Sequence, residues 1–249
     1  MTTLRDRLID TAIRLHIDEP LLRARATLSG DQASVDEKRQ LNALLASTLT
    51  PTSNCVDIGA FRGRVLREIV RLAPHGSHIA YEPLPDLSRA LARRFPSVDV
   101  RNAAVSNARG EATFTFVHDA PALSGLHDRW EGDGHGHRTE AVPVRVETLD
   151  EDLPPGYVPQ FIKIDVEGAE LQVFEGGIRT IATYKPTILF EHGKGGADHY
   201  GTEPGDVHAL LTREADLRIY DLDGNGPLDR AQFEAAFARN EQWNFVARA

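Results

Sequence analysis

One decapeptide limits the folds open to this chain more than any other stretch: Asn54-Cys-Val-Asp-Ile-Gly-Ala-Phe-Arg-Gly63. Cys55–Ile58 reads as an apolar strand interrupted by one acid, Asp57; Gly59 and Gly63 space a turn, and Arg64–Leu72 carries helical periodicity. Glycines let the backbone pass close to a ligand, and a helix start offers unpaired N–H groups. Strand, glycine loop and helix in that order belong to ligand pockets at the carboxyl end of a first strand in an open α/β sheet.

The rest of the chain repeats the unit. His78–Glu82 reads as strand, Leu84–Arg94 as helix and Val98–Val105 as strand. Phe161–Val166 (strand), Ala169–Ala182 (helix), Thr187–Glu191 (strand), Pro204–Ala215 (helix) and Leu217–Leu222 (strand) continue it, and Asn244–Ala247 reads as a last short strand. Such alternation predicts a mostly parallel sheet with helices on both faces, and the last two strands are expected to form an antiparallel hairpin. Ala112–Val117 and Val142–Glu147 have the period of two expected of an inserted β-hairpin, with a Gly- and His-rich segment, 118–140, between them. Ahead of the sheet, residues 4–28 and Val35–Leu49 have helical spacing, so 1–50 reads as a helical cap or homodimerisation element and 51–249 as the main domain. A net charge of −9 argues against a general nucleic-acid binder. The single cysteine, Cys55, excludes an internal disulfide, and no run nears the ~20 apolar residues of a membrane span. The expectation is a cytoplasmic protein without membrane or nucleic-acid partners.

Spacing narrows the ligand. The loop reads D-x-G-x-x-x-G and not G-x-G-x-x-G. A carboxylate beside the loop would repel a pyrophosphate but suits the ammonium group of a cationic cofactor such as S-adenosylmethionine. Glu82 ends the second strand 25 residues after Asp57. That is close to the ~20-residue offset at which an acid grips ribose hydroxyls, and a carboxylate can accept from both hydroxyls. Asn102-Ala-Ala-Val-Ser106 ends the third strand with small side chains that leave room for a flat base. The candidate cofactor residues are Asp57, Gly59, Ala60, Gly63, Glu82, Pro83, Asn102, Ala103, Ala104 and Asp165.

The segments CVDIGAFRG, YEPLP, NAAVS, SGL (124–126), ETLDED, FIKIDVEGAELQVFEGG and ILFEHG stand in an order that resembles the FkbM-type methyltransferases. The resemblance spans about residues 54–246, with KIDVEGAE and the Glu-Gly-Gly of 175–177 as its most specific part. It implies a Rossmann-like class I methyltransferase fold with a seven-strand sheet whose last strand is antiparallel. It also implies S-adenosylmethionine as cofactor and methyl transfer to a hydroxyl of a sugar or natural product.

A hydroxyl acceptor benefits from a general base at the carboxyl rim of the sheet. Asp165 and the pair Glu191-His192 qualify by position, His192 being favoured for its unperturbed pKa of ~6.5. A histidine that merely caps a strand is an equal reading. Glu167 and Glu170 read either as acceptor contacts or as helix caps. Ser124, His135 and His137 fall in a segment read as an acceptor-facing lid, with His118 and His127 nearby; no metal site is assigned there. Asp221–Gln232 has the oxygen spacing of a calcium loop, but Gln232 stands where the bidentate glutamate belongs, so a strand-connecting turn is expected. Two other functions remain compatible with the residues: a nicotinamide-dependent oxidoreductase on the same sheet, and a cofactor- or partner-binding protein without catalysis.

Overall fold

The computed structural model describes residues 32–120, 123–126, 137–240 and 242–249. The chain divides into two units, 1–44 and 45–249. The described part of the first unit is helical, the opening of α1 (Gln32–Thr48). The helix expected over 4–28 lies outside the described residues.

The second unit is built on a seven-stranded sheet. Its strands are β1 (Cys55–Ile58), β2 (His78–Tyr81), β3 (Val98–Arg101), β7 (Phe161–Ile164), β8 (Thr187–Glu191), β9 (Arg218–Asp221) and β10 (Asn244–Arg248), in spatial order β3-β2-β1-β7-β8-β10-β9. Every residue of β1, β2 and β7 is buried, as expected of parallel strands covered on both faces. Helix α2 (Arg64–Leu72) turns Val65, Leu66 and Ile69 inward, and α3 (Pro85–Arg94) opens with a proline in its first turn. One face of the sheet carries Val56, Ile58, Ile162, Ile164, Ile188 and Phe190, packed with Phe174, Phe233 and Phe245. The other carries Ala80 against Leu66, Leu91 and Phe95.

The order reverses between β1 and β7, so their carboxyl ends flank the crevice where open α/β sheets bind ligands. β10 pairs antiparallel with both β8 and β9, as expected of the last strand. The β9–β10 link is not a hairpin, however: helix α8 (Arg230–Arg239) intervenes. The strand expected over 98–105 is also two, because β4 (Ala104–Val105) leaves the main sheet and pairs with β6 (Thr139–Glu147). β6 in turn pairs antiparallel with β5 (Gly110–Val117), giving the expected inserted pair within a second, three-stranded sheet. The helix expected over 169–182 divides at Gly177 into α5 (Glu170–Gly176) and α6 (Ile178–Tyr184), a short α4 (Leu149–Asp152) standing earlier and α7 (Pro204–Ala209) later. A side chain at Gly177 would meet the Leu149 side chain at 2.9 Å, so the helix turns where the backbone must come close. Among the described residues no helix is long and apolar enough to cross a membrane.

Candidate active site

At the carboxyl ends of β1, β2 and β7 lies a cleft of about 120 Å³, at the crevice where open α/β sheets bind ligands. Gly59 makes its closest wall possible: its φ is +73°, and a Cβ there would sit 1.9 Å from the carbonyl oxygen of Asp165. A left-handed conformation and so close an approach leave room for no other residue.

Glu82, 3% exposed, lies in the same cleft. Its Oε2 accepts the Phe61 N–H at 2.7 Å and its Oε1 the Leu84 N–H at 2.9 Å. Each oxygen retains a second lone pair, so two ligand hydroxyls can still be accepted. Burial pushes the Glu82 carboxyl up to about 7, against the two N–H groups that favour its ionised form. Phe61, with φ +49°, is held in the left-handed region at the cleft wall. Asn102 lies outside the lining and holds the turn instead, its Nδ2 donating to the carbonyls of Glu82 at 3.0 Å and Pro83 at 2.7 Å. Pro83, Leu84, Ala103, Ala104, Phe114 and Leu126 complete a mainly apolar slot. Ser124 lines it too, its hydroxyl accepting the Val117 N–H at 3.0 Å.

Three of the first-loop candidates do not face the cleft. Asp57 points to the opposite side of β1 from Val56 and Ile58, is 1% exposed, and lies 3.5 Å from the Lys163 ammonium. Burial pushes its carboxyl upward, opposed by Lys163. Its charge is thus met from within the protein, which corrects the expectation of a ligand-facing acid. Ala60 packs in the core with Leu66 and Leu91, and a Cβ at Gly63 would stand 2.7 Å from Leu91 and Phe95, so Gly63 serves helix packing.

The other lip is acidic. Asp165, its side chain 40% exposed, and Glu167 line the cleft, and donor atoms of Asp165, Glu167 and Glu191 lie within 4.8 Å of one another. Lys163 Nζ stands 3.2 Å from Asp165 Oδ2. Burial works against the Asp165 charge, but the ammonium and a hydrogen bond from Glu191 hold its carboxyl below the usual range. Burial and the neighbouring Asp165 charge push the Glu191 carboxyl upward. Oxygen donors this close suit a hard divalent cation, the alternative in which Asp165 and Glu191 hold an ion that acidifies the acceptor. Glu170 ties down the loop ahead of its helix: its Oε1 accepts the N–H groups of Val166 and Gly168, both at 3.1 Å, and burial lifts its carboxyl to about 7. Glu167 itself has φ +60°, a second non-glycine residue in the left-handed region at the cleft wall.

His192 is not at the rim. It is 1% exposed, stacked on Phe233 with ring centroids 5.6 Å apart and tilted against Phe237 at 4.9 Å. Burial drives its pKa down to about 4. Successive strand residues face opposite sides: Phe190 and His192 turn to the aromatic core, while Glu191 turns with Asp165 to the acidic lip. The expected Glu191-His192 pair therefore cannot act together. Of the lid histidines, His137 Nδ1 pairs with Asp119 Oδ2 at 2.5 Å and His118 Nε2 with Glu140 Oε2 at 2.8 Å, where β5 and β6 lead into the intervening segment. His127 and His135 lie outside the described residues. Sequence reasoning missed Lys163, although strand periodicity places it on the same side of β7 as Asp165.

The sequence model of the methyltransferase FkbM domain matches residues 57–219. The chain belongs to the FkbM methyltransferase family. Its cofactor is S-adenosylmethionine. No curated protein sequence matches it. Among similar solved structures, a methyltransferase FkbM from Methylobacillus flagellatus KT is 17% identical with a TM-score of 0.49, over 81% of this chain and 44% of that one. This FkbM-family chain thus spans less than half the length of that protein. The plantazolicin methyltransferase BpumL, in complex with SAH, is 11% identical with a TM-score of 0.42, over 90% and 88% of the two chains. A TehB-like SAM-dependent methyltransferase from Corynebacterium glutamicum ATCC 13032 Kitasato is 11% identical with a TM-score of 0.44, over 90% and 97%.

The cleft fits the family's cofactor. Glu82 offers acceptors for ribose hydroxyls, the slot around Ala103, Ala104 and Leu84 suits a flat base, and Gly59 lets the loop backbone pack against the Asp165 carbonyl at the cleft wall. The family model that matches this sheet is that of a methyltransferase domain.

Proposed function

We propose that this methyltransferase is an O-methyltransferase acting on a hydroxyl of a small natural product or sugar. The observation that carries this is the Asp165 carboxylate: it opens onto the cleft at the Gly59 loop, with the Lys163 ammonium 3.2 Å away and the Glu191 carboxyl close by. When bound, S-adenosylmethionine supplies an electrophilic methyl group on a positively charged sulfur. Glu82 and the apolar slot hold the nucleoside portion, and the cleft wall at Asp165, Val166 and Glu167 is left to face the acceptor. Bound there, the cofactor would supply the methyl group and keep the electron pair of its carbon–sulfur bond, while Glu82 and the slot would hold it and Asp165 would face the acceptor oxygen. The hydroxyl proton passes to Asp165. A hydroxyl becomes strongly acidic as the new bond forms, so a carboxylate of low basicity suffices for this late transfer. Positioning of this kind contributes up to ~7–11 kcal/mol in favourable cases. Lys163 and Glu191 hold the carboxylate in place from either side.

The test is methyl transfer from labelled S-adenosylmethionine to hydroxyl-bearing glycosides and macrolide-type alcohols, with matched amines and carboxylic acids alongside. Transfer to hydroxyls that falls at least ~100-fold in Asp165→Asn is expected. Transfer confined to amines would overturn the hydroxyl assignment. Cofactor binding with no turnover across the panel would favour a catalytically silent binding protein.

A further inference from the structure

Lys163 is buried in the middle of a strand, where most chains place an apolar residue. Its neighbours Ile162 and Ile164 join the core on one face; Lys163 turns the other way, level with Asp57 across the β1–β7 register. It is 6% exposed. Its Nζ donates to the carbonyl of Gly59 at 2.7 Å and of Ile58 at 3.3 Å, with Asp165 Oδ2 at 3.2 Å and Asp57 Oδ1 at 3.5 Å. One ammonium thus touches the last carbonyls of β1, the acid at the cleft lip and the acid beneath.

The contact with Gly59 falls on a peptide gripped from its far side as well. The N–H groups of Gly59 and Ala60 both donate to the carbonyl of Tyr81, at 3.1 and 3.0 Å. The Gly59–Ala60 peptide is therefore pinned to β2 through its N–H and to β7 through its carbonyl. The next amide, that of Phe61, is the one Glu82 accepts. Rotating the peptide would displace both the Gly59 backbone packed on the Asp165 carbonyl and the Phe61 N–H that Glu82 accepts.

We propose that Lys163 is a positioning residue for the cofactor, tying the Gly59 loop to Asp165 so that the two lips of the cleft form one frame. The inference rests on the cleft being the S-adenosylmethionine site. It goes beyond a core ion pair, and the two roles separate experimentally. A buried pair that serves only stability is commonly replaced by uncharged residues of similar volume without loss, whereas a strut toward a backbone carbonyl is not.

The experiment pairs thermal unfolding with calorimetric titration by S-adenosylhomocysteine in wild type, Asp57→Asn, and Asp57→Asn/Lys163→Met. The double variant leaves no unpaired acid beneath the loop, and its Tm is expected within a few degrees of wild type. Its Kd for S-adenosylhomocysteine is expected to rise at least ~10-fold, while Asp57→Asn alone, which keeps the strut, stays within about threefold. Should the methionine version not fold, Asp57→Asn/Lys163→Gln takes its place, with a several-fold rise expected. Wild-type affinity in either folded double variant overturns the proposal, as does an equal loss in Asp57→Asn alone. A wild type that bound no S-adenosylhomocysteine would instead remove the cofactor reading, and the proposal with it.

Discussion

Glu82 and His192 are both buried titratable groups, and their surroundings assign them opposite parts. Glu82 sits among backbone donors in the cleft, with its carboxyl raised to about 7 by burial. Ligand hydroxyls donate to the ionised form, so binding must drive off a proton below that pH. S-adenosylhomocysteine affinity is therefore expected to be flat above pH ~7 and to weaken toward ~10-fold per unit below it. Glu82→Gln should bind ~10–100-fold more weakly at pH 8 and lose this dependence; an unchanged pH profile in the variant would contradict the assignment. His192 stands among phenylalanines, lowered from 6.5 to about 4. A histidine whose folded pKa is depressed is protonated first in the unfolded chain, so stability falls as pH drops from about 6.5 toward 4. His192→Phe is expected to blunt that loss, seen as Tm against pH, and to leave S-adenosylhomocysteine affinity within about twofold. Loss of binding in His192→Phe would return the histidine to the site. Glu82 was legible in the sequence because strand-end position and chemistry agree. His192 was misplaced because adjacency in sequence was read as adjacency in space, and strand alternation forbids it. Lys163 was passed over because a lysine inside an apolar run gives no sign of what will pair with it.

At the scale of elements, short-range signals were read well and connections poorly. Cys55–Ile58, Arg64–Leu72 and Thr187–Glu191 fall where their periodicity put them. The division of 98–105 did not, because β4 leaves the main sheet through a long-range pairing with β6 that no local pattern announces. Helix α8 begins inside the stretch read as a turn and runs on through residues 233–239, to which the sequence reading gave no element. Its start is a capping box: Asp229 Oδ1 accepts the Gln232 N–H at 2.9 Å, and Gln232 Oε1 accepts the Asp229 N–H at 2.9 Å. The residue that spoils the calcium spacing is thus the one that starts the helix. Asp221 is occupied as well, accepting from the backbone and side chain of Asn225 at 2.7 and 2.8 Å. Asp229→Ala is expected to lower stability by about 0.5–2 kcal/mol, measured by denaturant unfolding. Added calcium should leave the wild-type Tm unmoved, and a calcium-dependent rise would reinstate the ion site.

For the molecule as a whole, alternation of strand and helix carried the parallel sheet, and the order of motifs carried the family. What the sequence could not supply was the fine placement of charge: which acid faces the ligand, which faces a lysine, and which faces another acid. Those assignments depend on strand register, and register brought Asp57 to Lys163 and Asp165 to Glu191. They converge on one claim, that the crevice between β1 and β7 is an S-adenosylmethionine pocket and the acidic lip its acceptor side. The most direct test is calorimetric titration of folded wild-type protein with S-adenosylhomocysteine, with NAD run in parallel. Saturable binding of S-adenosylhomocysteine to a single site, with none for NAD, is the predicted result. Absence of S-adenosylhomocysteine binding, or equal binding of NAD, would contradict it.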